Sequence, residues 1–243
     1  MFDWLKKNKS GRPVEKSGAD AGASVVVTID GPSGSGKGTI SRRVAEALGF
    51  NLLDSGALYR LVALAAEDAC LSVRNTEALV ELARHLDVRF DSDEGGEEKV
   101  WLGEQDVTKS LRSEETGASA SIVAQLEPVR EALIERQRAF RQPPGLVADG
   151  RDMGTRIFPD AALKIYMTAS AEERAKRRHK QLKEKGLNVS LAALSRDIEK
   201  RDRRDSERTI APLRPAMDAK LLDTTGQSIE AVTQQVLDWV AEL

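Results

Sequence analysis

The clearest chemistry in this chain sits in nine residues, Gly31-Pro32-Ser33-Gly34-Ser35-Gly36-Lys37-Gly38-Thr39. Glycines allow consecutive backbone N–H groups to turn inward around anionic oxygens. Lys37 adds a full positive charge. Such a loop can cradle a polyphosphate when it follows a strand and opens a helix. The flanks predict both. Val25-Val26-Val27-Thr28-Ile29-Asp30 is a largely β-branched run closed by glycine, the pattern of a strand buried on both faces. Gly38 to Leu48 has helical spacing, with Ile40, Val44, Ala47 and Leu48 on one side and Gly49 as the expected C-cap residue. The N-terminus of that helix adds free donors and a partial positive charge.

The loop departs from the general motif at one position. Gly38 stands where a magnesium-binding Ser or Thr would follow the lysine, and the hydroxyl comes one residue later, at Thr39. Direct hydroxyl ligation of Mg2+ is therefore not expected. Thr39 and Asp149 are the candidates for holding Mg2+ through water, and Asp149 is equally able to cap the turn that follows it.

A phosphate loop serves kinases, GTPase switches and ATPase motors alike. The Asn-Lys-x-Asp motif that would read guanine is absent from the sequence. A kinase needs a second anion site facing the transferred group, usually built from arginines. Three segments offer them: Asp54-Ser55-Gly56-Ala57-Leu58-Tyr59-Arg60, Asp149-Gly150-Arg151-Asp152-Met153-Gly154-Thr155, and Arg201 to Arg208. The first two follow predicted strands, where open α/β sheets bind ligands. The third ends a predicted helix, Ser190 to Asp205. Its apolar stripe, Leu191, Leu194 and Ile198, continues into Arg201, Asp205 and Arg208. With Arg201 and Asp205 spaced as an i,i+4 pair, the stripe is read as turning ionic while still pointing inward.

The remaining sequence predicts alternating strands and helices. Leu52-Leu53, Leu146 to Asp149, Leu163 to Met167 and Lys220 to Asp223 read as further strands. Ala57 to Cys70, Thr76 to Leu86, Ser110 to Leu126, Pro128 to Arg141, Glu172 to Lys185 and Ser228 to Glu242 read as further helices. Val88-Arg89-Phe90 and Lys99 to Leu102, around Gly95-Gly96, read as a small hairpin that holds Trp101. Alternation argues for an α/β fold, a parallel sheet covered on both faces. Cys70 and His85 fall on apolar helical stripes and are expected at the core or its edge. Trp239 fits the inner face of the last helix with Val236 and Val240.

Composition narrows the function classes. The chain has 243 residues, 37 basic against 39 acidic side chains, and a formal net charge of −2, so it is no general nucleic-acid coat. A single cysteine, Cys70, excludes an intrachain disulfide and a thiolate metal cluster and suits a reducing compartment. Two histidines, His85 and His179, argue against a multi-histidine metal site. No apolar run reaches the length of a membrane span, and the basic start, Met1 to Ser10, has no apolar stretch behind it. A cytoplasmic address is expected. Residues 1–23 read as a disordered tail with an apolar spot at Phe2, Trp4 and Leu5. The helix Glu172–Lys185, with Arg174, Lys176, Arg177, Arg178, Lys180, Lys183 and Lys185, fits a nucleic-acid surface or a solvated face when taken alone.

Five segments, in this order, carry a resemblance to a known family: Gly31–Thr39, Leu52–Arg60, Val129–Arg141, Gly145–Thr155 and Arg201–Leu213. Over Ser24 to Leu243 the sequence resembles the bacterial cytidylate kinases. The resemblance implies a three-layer α/β/α P-loop kinase with a central parallel sheet in residues 24–243. It also implies a small monophosphate-side insertion at about 82–121 and a short basic lid at about 174–189. The implied activity moves the γ-phosphoryl group of ATP, with Mg2+, directly to CMP or dCMP. ATP is expected on the loop Gly31–Thr39 and on Arg174, Arg177 and Arg178 of the lid. Lys37, Arg60, Arg151 and Arg201 form the implied catalytic set, the three arginines gripping the acceptor phosphate. Ser55, Arg130 and Asp152 are implied at the cytosine with Arg208 close by, and Ser121 and Asp205 at the ribose. Cytosine fits such a set, because its N4 amino group needs an acceptor and its N3 a donor. The expected partners are ATP and CMP or dCMP, with no nucleic acid, no membrane and a monomeric chain. Two other readings stand beside this one: a P-loop kinase for another monophosphate such as UMP, and a non-catalytic nucleotide- or RNA-binding module built on the basic helix.

Overall fold

The computed structural model describes residues 24–72, 74–92, 98–184 and 189–243. The expected tail 1–23, the expected hairpin turn at Gly95-Gly96 and the far end of the expected lid, Lys185 and Gly186, lie outside the described residues. β1 (Val25–Asp30) runs through the glycine loop into α1 (Lys37–Leu48) and β2 (Asn51–Asp54). Then come α2 (Ser55–Asp68), α3 (Thr76–Arg84), β3 (Val88–Ser92), β4 (Glu98–Leu102), β5 (Gln105–Asp106), α4 (Thr108–Leu111), α5 (Glu114–Val123) and α6 (Glu127–Arg138). The chain continues with β6 (Gly145–Gly150), a π-helical turn (Met153–Ile157), β7 (Leu163–Thr168), α7 (Ala171–Glu184), α8 (Leu191–Ser206), β8 (Lys220–Asp223) and α9 (Ile229–Ala241). It divides into two units, residues 56–133 and residues 24–55 with 134–243.

In the second of these units, the described residues form a parallel sheet of five strands in the order β2-β6-β1-β7-β8. β1 is central: Val27 pairs with Val147 on one side and Leu163 on the other. Its apolar run is explained by that position, because Val26, Val27 and Ile29 are at most 1% exposed. Ile40 and Val44 of α1 and Val232 and Val236 of α9 close a core over β1, β6, β7 and β8. Each such aliphatic side chain contributes about 1.5–3 kcal/mol on burial. Trp239 and Val240 pack against this core, and Lys220 Nζ lies 4.9 Å from the Trp239 ring centroid. Gly49 ends α1 in the left-handed region, φ 65°. The fold is the α/β P-loop class with its central parallel sheet and flanking helices.

The unit 56–133 holds an antiparallel sheet, β3-β4-β5, with helices. Arg89 pairs across the ladder with Trp101, and its guanidinium lies 5.2 Å from that ring's centroid, so Trp101 packs within the hairpin.

Four local expectations are corrected. Ser110–Leu126 is two helices: Ser113 is extended (φ −72°, ψ 158°) and its hydroxyl accepts from Thr116 N–H at 3.0 Å, so the chain restarts with a serine cap. Cys70 lies beyond α2 with φ 52° and is exposed. His85 is the C-cap residue of α3, its side chain 78% exposed and 3.5 Å from Glu81. Leu191 is 39% exposed, so the buried stripe of α8 starts at Leu194 and runs through Ile198 to Asp205.

Candidate active site

The glycine loop leaves the centre of the sheet at the C-terminal end of β1. Gly36, at the N-cap of α1, has φ 96°, which an L side chain rarely adopts, and no side chain caps this helix. The helix N-terminus is thus presented to whatever the loop holds. Lys37 is 5% exposed, and its Nζ donates to the Pro32 carbonyl at 2.9 Å, folding over its own loop. Burial pushes its ammonium down to about pKa 7, and the positive charges of Arg151 and, more weakly, Arg201 push the same way against Asp149 and Asp30. Arg151 and Arg201 therefore share the electrostatic neighbourhood of the loop lysine.

The loop is tied from outside by two arginines of α7. Arg174 Nη1 donates to the Ser33 carbonyl at 3.1 Å and Nε to the Ala169 carbonyl at 2.9 Å. The same guanidinium grips Asp202 of α8 at 3.0 and 2.5 Å. Arg177 Nη1 donates to the Ser35 carbonyl at 3.2 Å, and its Nη2 to the Thr224 carbonyl at 2.6 Å. The Thr224 hydroxyl lies 3.1 Å from the Ser35 carbonyl. In a trans peptide the C=O and the next N–H point in opposite directions. Holding the Ser33 and Ser35 carbonyls outward turns the Gly34 and Gly36 N–H groups the other way. Of the three arginines expected at ATP, Arg174 is buried and Arg177 half-buried, both bonded to the loop main chain, and Arg178 donates to Gln181 at 3.1 Å.

A second group gathers at the end of β6. A Cβ on Gly150 would come within 2.7 Å of Ser55 Oγ and of Met153 Cγ, so Ser55 packs directly on this glycine. Arg151 and Asp152 follow. Arg151 Nε donates to Asp205 Oδ2 of α8 at 3.3 Å, with Asp205 5% exposed and Asp152 2% exposed. Asp205, spaced i,i+4 from Arg201 on its own helix, has its carboxylate engaged by Arg151. Ser55, Arg151, Asp152, Arg201 and Asp205 thus belong to the unit that carries the loop, and Arg208 follows α8 just beyond its C-cap Glu207.

The other three expected acceptor residues lie in the unit 56–133. Arg60 Nη1 donates to the Leu111 and Ser113 carbonyls at 3.0 and 2.9 Å, and its guanidinium packs on Gly117. Arg130 is 3% exposed, lies 5.3 Å from the Tyr59 ring centroid and donates to the Ala124 carbonyl at 3.1 Å. Ser121 is buried on α5.

Among the described residues, no cluster of three or more His, Cys, Asp or Glu could cage a metal. The donors present are hard oxygens. The Asp149 carboxyl is pushed up to about pKa 6 by burial, with Lys37 opposing and Asp54 adding to the rise. Asp54 and Asp149 face each other in the β2–β6 register, and Asp149 Oδ2 lies 3.4 Å from where a Gly38 Cβ would be. Carboxylates crowded beside the loop suit a hydrated Mg2+, which keeps most of its waters.

Three residues of this site were not singled out in the sequence. Asp30 accepts from Met153 and Gly154 N–H, Asp202 anchors Arg174, and Thr224 braces Ser35. Asp30 had a signal, a carboxylate ending an otherwise apolar buried strand. Asp202 was hidden in a run of alternating charges.

A central parallel strand, a glycine loop with a buried lysine, and arginines whose positive charge bears on that lysine are the parts of a P-loop kinase, a phosphotransferase. The sequence model described as cytidylate kinase matches residues 27–242. A cytidylate kinase from Cupriavidus necator is 54% identical over 216 residues, covering 89% of this chain and 95% of its own. One from Stutzerimonas stutzeri is 57% identical over 218 residues, with the same coverage of both chains. The chain belongs to the cytidylate kinase family. Among solved structures, a shikimate kinase from Acinetobacter baumannii, in complex with shikimate, is 15% identical with a TM-score of 0.42, covering 90% of this chain and 94% of its own.

Proposed function

We propose that this chain transfers the γ-phosphoryl group of ATP to CMP or dCMP, giving ADP and (d)CDP, by direct in-line attack of an acceptor phosphate oxygen. The observation that carries this reading is the glycine loop at the end of the central strand with its buried Lys37, near which Arg151, held by Asp205, and Arg201 add positive charge for a second anion. The loop Gly31–Thr39 holds the donor phosphates through main-chain N–H groups and Lys37. Arg151 and Arg201 fork onto the acceptor phosphate, a geometry guanidinium suits better than ammonium. Asp152 accepts from the cytosine N4 amino group, Ser55 lies against the same glycine, and Asp205 takes a ribose hydroxyl. Arg60, Ser121, Arg130 and Arg208 are assigned to CMP as well. Arg174, Arg177 and Arg178 serve ATP, the first two by shaping the loop.

No side chain acts as a nucleophile. Catalysis is positioning and neutralisation of charge on the group in flight. Mg2+ would be held through water by Thr39 and Asp149, and when bound it neutralises charge on the donor phosphates. Among the described residues no helix is long and apolar enough to cross a membrane. The reading includes a cytoplasmic monomer that acts on nucleotides rather than on nucleic acid.

A coupled ADP-release assay across CMP, dCMP, UMP, AMP and GMP tests it. CMP and dCMP are expected to turn over well ahead of the rest. Equal turnover of UMP and CMP would remove the cytosine assignment. No transfer to any monophosphate, together with RNA binding that weakens as salt rises, would favour the RNA-binding module.

A further inference from the structure

Asp30 ends β1, directly before the phosphate loop, and is 5% exposed. Its Oδ1 accepts from Met153 N–H at 2.9 Å and its Oδ2 from Gly154 N–H at 2.8 Å. Those two amides open the π-helical turn Met153–Ile157, whose N-cap residue is Asp152. An aspartate at such a position ordinarily folds its own carboxylate back onto the first-turn amides. Asp152 makes no such bond. The cap arrives instead from the neighbouring strand, where Asp30 pairs in register with Gly150, two residues before Asp152.

Stability alone gives little reason for a carboxylate here. Burial raises the Asp30 carboxyl to about pKa 7 despite its two amide bonds, and the nearby Asp152 and Asp149 carboxylates add to the rise. A residue kept at that cost is better explained by what it leaves undone next door. With its turn already capped, Asp152 does not use its carboxylate for capping.

We propose that Asp30 is a positioning residue for base selection: by bonding the Met153 and Gly154 amides it holds Asp152 with its carboxylate turned off its own helical turn and onto the acceptor base. The inference rests on the reading that Asp152 accepts from the cytosine amino group. Asp30 itself touches no substrate.

Asp30→Asn keeps the shape but sets an amide NH2 against a backbone N–H, so one cap bond is lost and Asp152 is drawn toward the unmet amide. Kinetics with CMP, UMP and ATP are compared for D30N, D152N and the double variant. In D30N the CMP-over-UMP preference in kcat/KM is expected to fall roughly tenfold, the size of one hydrogen bond. The fall comes through the CMP KM, with the ATP KM unchanged. The double variant should lose no more discrimination than D152N alone, because the two residues act in series. An unchanged preference in D30N while D152N loses it would overturn the positioning role and leave the base reading standing. An unchanged preference in D152N would remove both. Equal proportional losses with CMP, UMP and ATP would reduce Asp30 to a structural residue. Should D30N fail to fold, hydrogen exchange on the unaltered protein decides: both amides are expected to exchange slowly, and rapid exchange at both would overturn the proposal.

Discussion

The phosphate loop and α8 reach positive potential by opposite means. In the loop it comes from main-chain N–H groups and one lysine, all within nine residues of sequence. In α8 and its neighbours it comes from long side chains whose direction depends on which carboxylate each one meets. Arg174 takes Asp202, and Arg151 takes Asp205, across 28 and 54 residues of chain. The loop is written in backbone geometry and α8 in ion pairs. The two are joined, because Arg174 holds the Ser33 carbonyl and Asp202 with one guanidinium.

The strongest way to break this contrast is to remove the loop's single side-chain charge. Lys37→Ala is expected to lower kcat by about 10²–10³-fold, the scale of losing one preorganised stabiliser of developing charge. Steady-state rates at saturating ATP and CMP check it, and a near-wild-type rate would mean that main-chain donors suffice.

Arg174→Ala severs the join. It leaves Asp202 and the Ser33 and Ala169 carbonyls without this donor, at a cost in unfolding free energy of about 3 kcal/mol. The ATP KM should rise about tenfold as the loop loosens. Arg174→Lys should not restore it, because an ammonium cannot replace the fork. Denaturant melts and ATP titrations measure both, and full rescue by lysine would show that charge alone matters.

The smallest effect sharpens the role of Lys37. In the nucleotide-free protein its ammonium titrates at about 7, so it is largely neutral at pH 8. Bound phosphates favour the charged form and raise that value. ATP binding at pH 8 should therefore take up a proton, whereas at pH 6 Lys37 already carries it. Calorimetry at pH 8 in two buffers of different ionisation enthalpy reads the uptake. Lys37→Arg, always charged, should bind without it, and equal uptake by that variant would place the proton elsewhere.

The same contrast explains what the sequence made legible. The run Val25–Asp30, the loop and Gly49 are local devices, and each is found where its residue types predict. The five strands of the parallel sheet are found at their expected places for the same reason, since apolar runs bounded by turns need no knowledge of partners. Charge partners are different. Arg174 was expected at phosphate through the family resemblance, and the carboxylate it grips, Asp202, lies on another helix. Asp205 was matched to Arg201 by spacing along one helix, and its bond to Arg151, 54 residues away, could not be read from that spacing. Asp30 was read only as a strand end, because the amides it caps lie 123 and 124 residues away. The break at Ser113 was missed because a serine cap inside a helical pattern competes with continuation of the helix on nearly equal terms.

The central claim is that the phosphoryl group passes straight from ATP to the acceptor, held between the loop and the arginines, with no enzyme-bound intermediate. ATP made chiral at the γ-phosphorus by sulfur and oxygen isotopes tests it directly. A single in-line displacement predicts a CDP β-phosphorus of inverted configuration. Retention would require two displacements, and with them a nucleophilic side chain that has no place in this account.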